Sequence, residues 1–169
     1  GDAKNTVSVL TGIKNALGNS AEVTYAKGCN LLIDRAFLER ISGRDAVDPR
    51  TDDEMINEAY NVASQADVIV AVLGEPSELS GEASSRSQIG LPGKQLQLLK
   101  TLLKTGKPVV LVLINGRPLT IEYEAAHVPA ILEAWHGGTE TGNAVADVIF
   151  GKINPSGKLT MTFPVNVGQ

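Results

Sequence analysis

Two stretches of the chain are almost wholly apolar and rich in β-branched residues: Asp67-Val68-Ile69-Val70-Ala71-Val72-Leu73-Gly74 and Pro108-Val109-Val110-Leu111-Val112-Leu113-Ile114-Asn115-Gly116. Apolar runs of that length without alternation predict strands covered on both faces of a parallel sheet. Between them Leu91, Leu96, Leu99, Leu102 and Leu103 recur at helical spacing, with Pro92 suited to the first turn and Gly106 to the stop. Strand, long loop, helix and strand make one right-handed crossover. Upstream, Val7, Leu10, Ile13 and Leu17 predict a helix with Thr6 as N-cap and Gly18 as its end. Residues 23–26 read as a short strand, and residues 30–50, polar and aperiodic around Pro49, receive no element. Thr51-Asp52-Asp53-Glu54 has capping-box spacing, and Met55, Ala59, Val62 and Ala63 carry the helix behind it to about Gln65. Downstream come a strand over 130–135, a glycine pair, a helix over about 140–150, and an alternating Leu159-Thr160-Met161-Thr162-Phe163 that reads as an edge strand. The pattern predicts a single domain over 1–169, a flavodoxin-like three-layer α/β/α sandwich on a mostly parallel sheet.

Periodicity disappears over residues 73–93, where the chain turns to glycine, serine and the carboxylates Glu75, Glu78 and Glu82 before the next helix. A loop at the carboxyl end of a parallel strand is where open α/β sheets build their sites. Most surface carboxylates do no chemistry, but Glu82 has an unusual setting. Gly81 before it permits backbone that other residues avoid, while Ser84, Ser85 and Arg86 place hydroxyl donors and a guanidinium fork within reach.

At 169 residues, with 43% hydrophobic and 20% charged residues, the chain has the length and composition of an ordinary globular domain. A net charge of -4 with scattered Lys and Arg leaves no basic face for nucleic acid. The single cysteine, Cys29, excludes an internal disulfide and a multi-thiolate metal site, and His127 and His136 lack metal-ligand spacing, so no metal is expected. No apolar run approaches the roughly 20 residues of a membrane span. Gly90-Leu91-Pro92-Gly93-Lys94 is no phosphate loop, because Gln95 follows the lysine and Gln88 stands where the upstream glycine belongs. No strand opens on a dinucleotide fingerprint either, so no cofactor is expected.

The order of Gly81-Glu82-Ala83-Ser84-Ser85-Arg86, Leu91-Pro92-Gly93-Lys94-Gln95, Lys107-Pro108, Asn115-Gly116-Arg117-Pro118, Ala134-Trp135, Asn154-Pro155-Ser156-Gly157-Lys158-Leu159 and Phe163-Pro164 resembles the C-terminal α/β-sandwich domain of glycoside hydrolase family 3. The likeness covers nearly the whole chain and points to the bacterial periplasmic β-glucosidases of that family. It implies a retaining β-glycosidase, most simply a β-glucosidase acting on a β-glucoside or β-linked oligosaccharide. In that division of labour an N-terminal (β/α)8 barrel carries the aspartate nucleophile, and the sandwich domain lends the general acid/base. Glu82 matches that glutamate residue by residue, with Arg86, Ser84 and Ser85 as substrate-binding or loop-orienting neighbours, and the location implied is periplasmic or secreted. Two departures stand out: the family places an acidic residue where Gln88 stands, and its opening strand has no counterpart ahead of the first helix. A sheet lacking that strand exposes an edge, which predicts homodimers or marginal stability. Retaining hydrolysis needs two carboxyl groups about 5 Å apart, so the chain by itself is expected to be inactive. The competing expectation, from residues alone, is a non-catalytic flavodoxin-like binding module whose 75–88 loop is plain surface. The other matched motifs read as structural: Asn115-Gly116-Arg117-Pro118 as a strand-end turn, Trp135 as the anchor of a domain contact ahead of a sugar-stacking role, and Asn154-Pro155-Ser156-Gly157 as a turn.

Overall fold

The computed structural model describes residues 5–44 and 47–169. Its elements run α1 (Val9–Leu17), α2 (Arg35–Ser42), α3 (Asp52–Gln65), β1 (Ile69–Gly74), a single 3-10 turn (Ser77–Leu79), α4 (Gln95–Leu103), β2 (Val109–Ile114), α5 (Glu122–His127), β3 (Ala130–Glu133) and α6 (Thr141–Ile149). The expectation about the lead-in at residues 1–4 lies outside the described residues. The described residues gather into two compact units, one spanning up to residue 25 together with 136–162, the other 26–135 together with 163–169.

The larger unit is built on a parallel sheet of order β1-β2-β3. Ile69 faces Val109 and the register holds to Gly74 opposite Ile114; Val110 faces Ala130, and Leu113 faces Glu133. Alternate residues of β1 and β2 (Ile69, Ala71, Leu73, Val109, Leu111, Leu113) form one core with Ile56, Ala59 and Ala63 of α3 and Leu98, Leu99 and Leu102 of α4. Leu99, Leu111 and Leu113 keep no exposure, and burying such a side chain is worth about 1.5–3 kcal/mol of transfer free energy. The result is an α/β sandwich, and because its strands are parallel, the segments after β1, β2 and β3 all leave from one edge of the sheet.

Helix α3 starts where its sequence says it should. Thr51 accepts from the Glu54 N–H, and the Glu54 carboxylate accepts from the Thr51 N–H at 2.8 Å, the reciprocal bonds of a capping box. Helix α1 starts two residues later than expected. Ser8, not Thr6, caps it by accepting from the Thr11 N–H at 3.1 Å, because the Val7 backbone is spent on Thr139 and Gly142, with Val7 N–H to Thr139 O at 2.8 Å and Gly142 N–H to Val7 O at 3.0 Å. Helix α4 likewise starts at Gln95, past Pro92 and a left-handed Gly93 (φ 66°).

Two expected strands are corrected. Residues 23–26 and 159–163 take no strand conformation, and Leu159 and Met161 are exposed. Alternation alone does not make a strand; it needs a neighbouring edge to satisfy its N–H and C=O groups, and neither segment has one here. The unassigned 30–50 connection contains α2, capped by the Asp34 carboxylate on the Phe37 N–H at 3.0 Å. Its Leu38 buries with Leu32 and Val47 in a small separate cluster.

Candidate active site

At Gly74, the last residue of β1, the side facing away from β2 is satisfied by Gln95. The buried Gln95 amide accepts from the Gly74 N–H at 2.8 Å and donates to the Gly74 carbonyl at 2.7 Å, pairing with that residue as a neighbouring strand would. A side chain at Gly74 (φ 149°) would strike the Ile114 carbonyl of β2, so the position requires glycine. The loop beyond begins with Glu75, whose N–H still reaches Ile114 O at 2.9 Å while its side chain turns under the loop with no exposure.

Glu75 is held by two arginines. Arg86 donates from Nη1 to Glu75 Oε2 at 2.6 Å and from Nη2 to Gly90 O at 2.9 Å. Arg117 donates from Nε to Glu75 Oε1 at 3.3 Å and from Nη2 to Ser84 O at 2.7 Å and to Leu79 O. A buried carboxylate is costly unless it is paired and hydrogen-bonded, and two guanidinium groups pair Glu75, one on each oxygen. The loop is thereby tied to the sheet edge from both of its ends.

Glu82 is exposed at the crest of that loop. It is a central residue of a turn closed by Ser84 N–H to Gly81 O at 3.2 Å, with Ala83 in left-handed backbone (φ 60°). For a residue other than glycine that conformation is strained and persists only where its surroundings impose it. The Ser84 hydroxyl donates to Glu78 O at 2.7 Å and braces the turn from inside. Ser85 is exposed beside it. Glu82, Ser84 and Ser85 border a recess of about 570 Å³ closed on its far side by Phe37, Arg40 and Ile41 of α2, where the Arg40 guanidinium sits 4.8 Å from the Phe37 ring centre.

The four residues singled out in the sequence are therefore brought into one loop, but they do different things there. Glu82 is presented, Ser84 is consumed by the turn, Ser85 is at the surface, and Arg86 is engaged with Glu75 and Gly90. Gln88 is exposed and lines a separate recess of about 390 Å³ with Leu91, Thr120 and Tyr123.

The strand-end turn after β2 carries more than its motif disclosed. Asn115 is fully buried, and its amide donates to Arg117 O at 2.9 Å and Glu133 Oε2 at 3.3 Å, while its Oδ1 has no hydrogen-bond partner. Glu133, at the end of β3, accepts from the Trp135 N–H at 2.9 Å, and burial raises its carboxyl above the ordinary value. Trp135 (φ 53°) packs on Phe163 with ring centres 5.7 Å apart. Glu75 and Arg117 are the residues that sequence reasoning missed. The signals were present, a carboxylate directly after a buried strand and an arginine in the turn after the next one, but their meeting depends on the sheet.

Among the described residues no group of three His, Cys, Asp or Glu side chains is placed to hold a metal ion, and no helix is long and apolar enough to cross a membrane.

The glycosyl hydrolase family 3 C-terminal domain model matches residues 1–169. A periplasmic beta-glucosidase of Salmonella typhimurium is 51% identical over 172 residues, covering 100% of this chain and 22% of that protein. A beta-xylosidase of Formosa agariphila is 44% identical over 96% of this chain and 20% of its own length. The crystal structure of a beta-glucosidase from Listeria innocua in complex with gluconolactone superposes with a TM-score of 0.79 at 36% identity, over 99% of this chain and 20% of that one. The chain thus spans about a fifth of the length of these relatives. With the match running from end to end and the sandwich reproduced, the chain belongs to the glycosyl hydrolase family 3 C-terminal domain family.

Proposed function

We propose that this chain is the acid/base-donating domain of a retaining β-glycosidase, a β-glucosidase by its kinship, whose barrel domain and nucleophilic aspartate lie elsewhere in the complete protein. The observation that carries this reading is the presentation of Glu82: an exposed carboxyl group on a strained, doubly anchored turn at the carboxyl edge of a parallel sheet. In the first step Glu82 gives its proton to the glycosidic oxygen as that oxygen leaves the anomeric carbon and the nucleophile bonds to the same carbon. In the second, the Glu82 carboxylate takes a proton from water as the water oxygen displaces the nucleophile. Arg86 orients the loop through Glu75, Ser84 braces the turn, and Ser85 is free to meet the sugar. The substrate is a β-glucoside or β-linked oligosaccharide, and the location is periplasmic or secreted, both by kinship. The xylosidase among the relatives fits a sugar-binding site built mainly outside this domain.

Proton donation matters most for a poor leaving group. In the complete enzyme Glu82→Gln should reduce kcat/KM for cellobiose by about 100-fold to 10,000-fold, the usual contribution of general acid catalysis, yet leave formation of the glycosyl-enzyme from dinitrophenyl glucoside nearly intact. Equal losses on both substrates would show that Glu82 only supports the loop.

A further inference from the structure

A side chain that closes the turn carrying Glu82 belongs to a different loop. Arg117, in the segment after β2, uses one terminal nitrogen for two carbonyls, Leu79 O and Ser84 O, the latter at 2.7 Å. Those two residues bracket Glu82. A guanidinium nitrogen has two hydrogens in a fixed plane, so serving both carbonyls closes residues 79–84 on themselves and leaves Glu82 at the crest. Arg117 is fixed in turn. Its Nε donates to the fully buried Glu75 carboxylate at 3.3 Å, and its backbone carbonyl accepts from the Asn115 amide at 2.9 Å. Within the turn the Ser84 N–H also donates to Gly81 O, and the Ser84 hydroxyl to Glu78 O at 2.7 Å and Glu82 O at 3.4 Å. Against these, the left-handed Ala83 (φ 60°) tends to relax once its surroundings cease to hold it.

We propose that Arg117, seated on Glu75, is a positioning residue for proton transfer by Glu82. The inference rests on the acid/base reading of Glu82. Arg117 acts through the turn, setting where the carboxyl group stands relative to the leaving oxygen. Proton transfer needs a heavy-atom approach of about 2.6–3.2 Å, and misplacement by about 1 Å costs on the order of 100-fold. The consequence is confined to steps that need the proton.

The test uses the complete enzyme and Arg117→Lys, which keeps a positive charge against Glu75 but loses the planar fork; Arg117→Met serves as the harsher variant. In Arg117→Lys, kcat/KM for cellobiose should fall by about 100-fold while that for dinitrophenyl glucoside changes by less than about threefold. In a Glu82→Gln background the same substitution should cost nothing further on cellobiose, because it acts only through Glu82. If Glu82→Gln shows its leaving-group dependence but Arg117→Lys resembles wild type, slows both substrates equally, or adds its full loss to that of Glu82→Gln, the positioning role is overturned alone. If Glu82→Gln shows no leaving-group dependence, the acid/base reading falls and the positioning role falls with it.

Discussion

Two buried carboxylates, Glu75 and Glu124, are accommodated in opposite ways. Glu75 is matched by two guanidinium groups, whereas Glu124 in α5 is 3% exposed and burial raises its carboxyl above the ordinary 4.5, with Lys100 a lesser, opposing influence. Lys100 itself sits over the Tyr123 ring, 4.3 Å from its centre. A raised carboxyl favours the folded state while it is protonated. Below the ordinary value both states hold the proton and Glu124 costs nothing; as pH rises toward the raised value the unfolded chain ionises first, and stability is lost. Glu124→Gln should therefore raise the melting temperature at about pH 8 and leave it unchanged at about pH 4. A variant destabilised at pH 8 would mean that Glu124 is charged there and paired. Cys29 tells the same story in a thiol: burial, then Asp52, pushes it up to about 12. At this scale the turn around Glu82 was legible, because Gly81 and the Ser-Ser-Arg that follows mark it locally. Glu75 and Arg117 were not, since the residues they join stand 42 positions apart and meet only across paired strands.

At the scale of elements, α1 and α6 touch through glycines. A Cβ on Gly12 would collide with the Gly142 carbonyl, and one on Gly142 with the Ser8 carbonyl. Helix propensity favours alanine over glycine by about 1 kcal/mol, and overpacking opposes it by about 1–3 kcal/mol. Gly12→Ala should come out destabilising, with a lower melting temperature and unchanged preference between cellobiose and dinitrophenyl glucoside; a more stable variant would show that the helices do not approach so closely. Elements with an end signal in their own sequence were legible: α3 by the Thr51–Glu54 box, α1 at its Gly18 end, and β1 and β2 by unbroken apolar runs. Two short helices were not, although the four-residue β3 was read from its apolar run. Helix α2 has only Phe37, Leu38 and Ile41 to mark its apolar side, and α5 has six residues. Leu159, Met161 and Phe163 alternate as a strand does, yet pairing partners are a property of the fold and cannot be read from the segment.

For the whole molecule, a parallel sheet brings the ends of β1, β2 and β3 to one edge. Gln95 satisfies the free side of Gly74 there, Glu75 with Arg86 and Arg117 ties down the loop, and the turn that results presents Glu82 beside a recess that Glu78 also lines. On the proposed reading Glu82 is one of the two carboxyl groups that retention of configuration requires. The most direct test of Glu82 is therefore chemical rescue in the complete enzyme. Glu82→Gln should accumulate a glycosyl-enzyme from dinitrophenyl glucoside, since water then lacks its base, and azide, which needs none, should restore turnover by at least about tenfold. The product should be the β-configured glycosyl azide. If Glu82→Gln is not rescued at any azide concentration while Glu75→Gln or Glu78→Gln is, another carboxylate in the loop carries the proton.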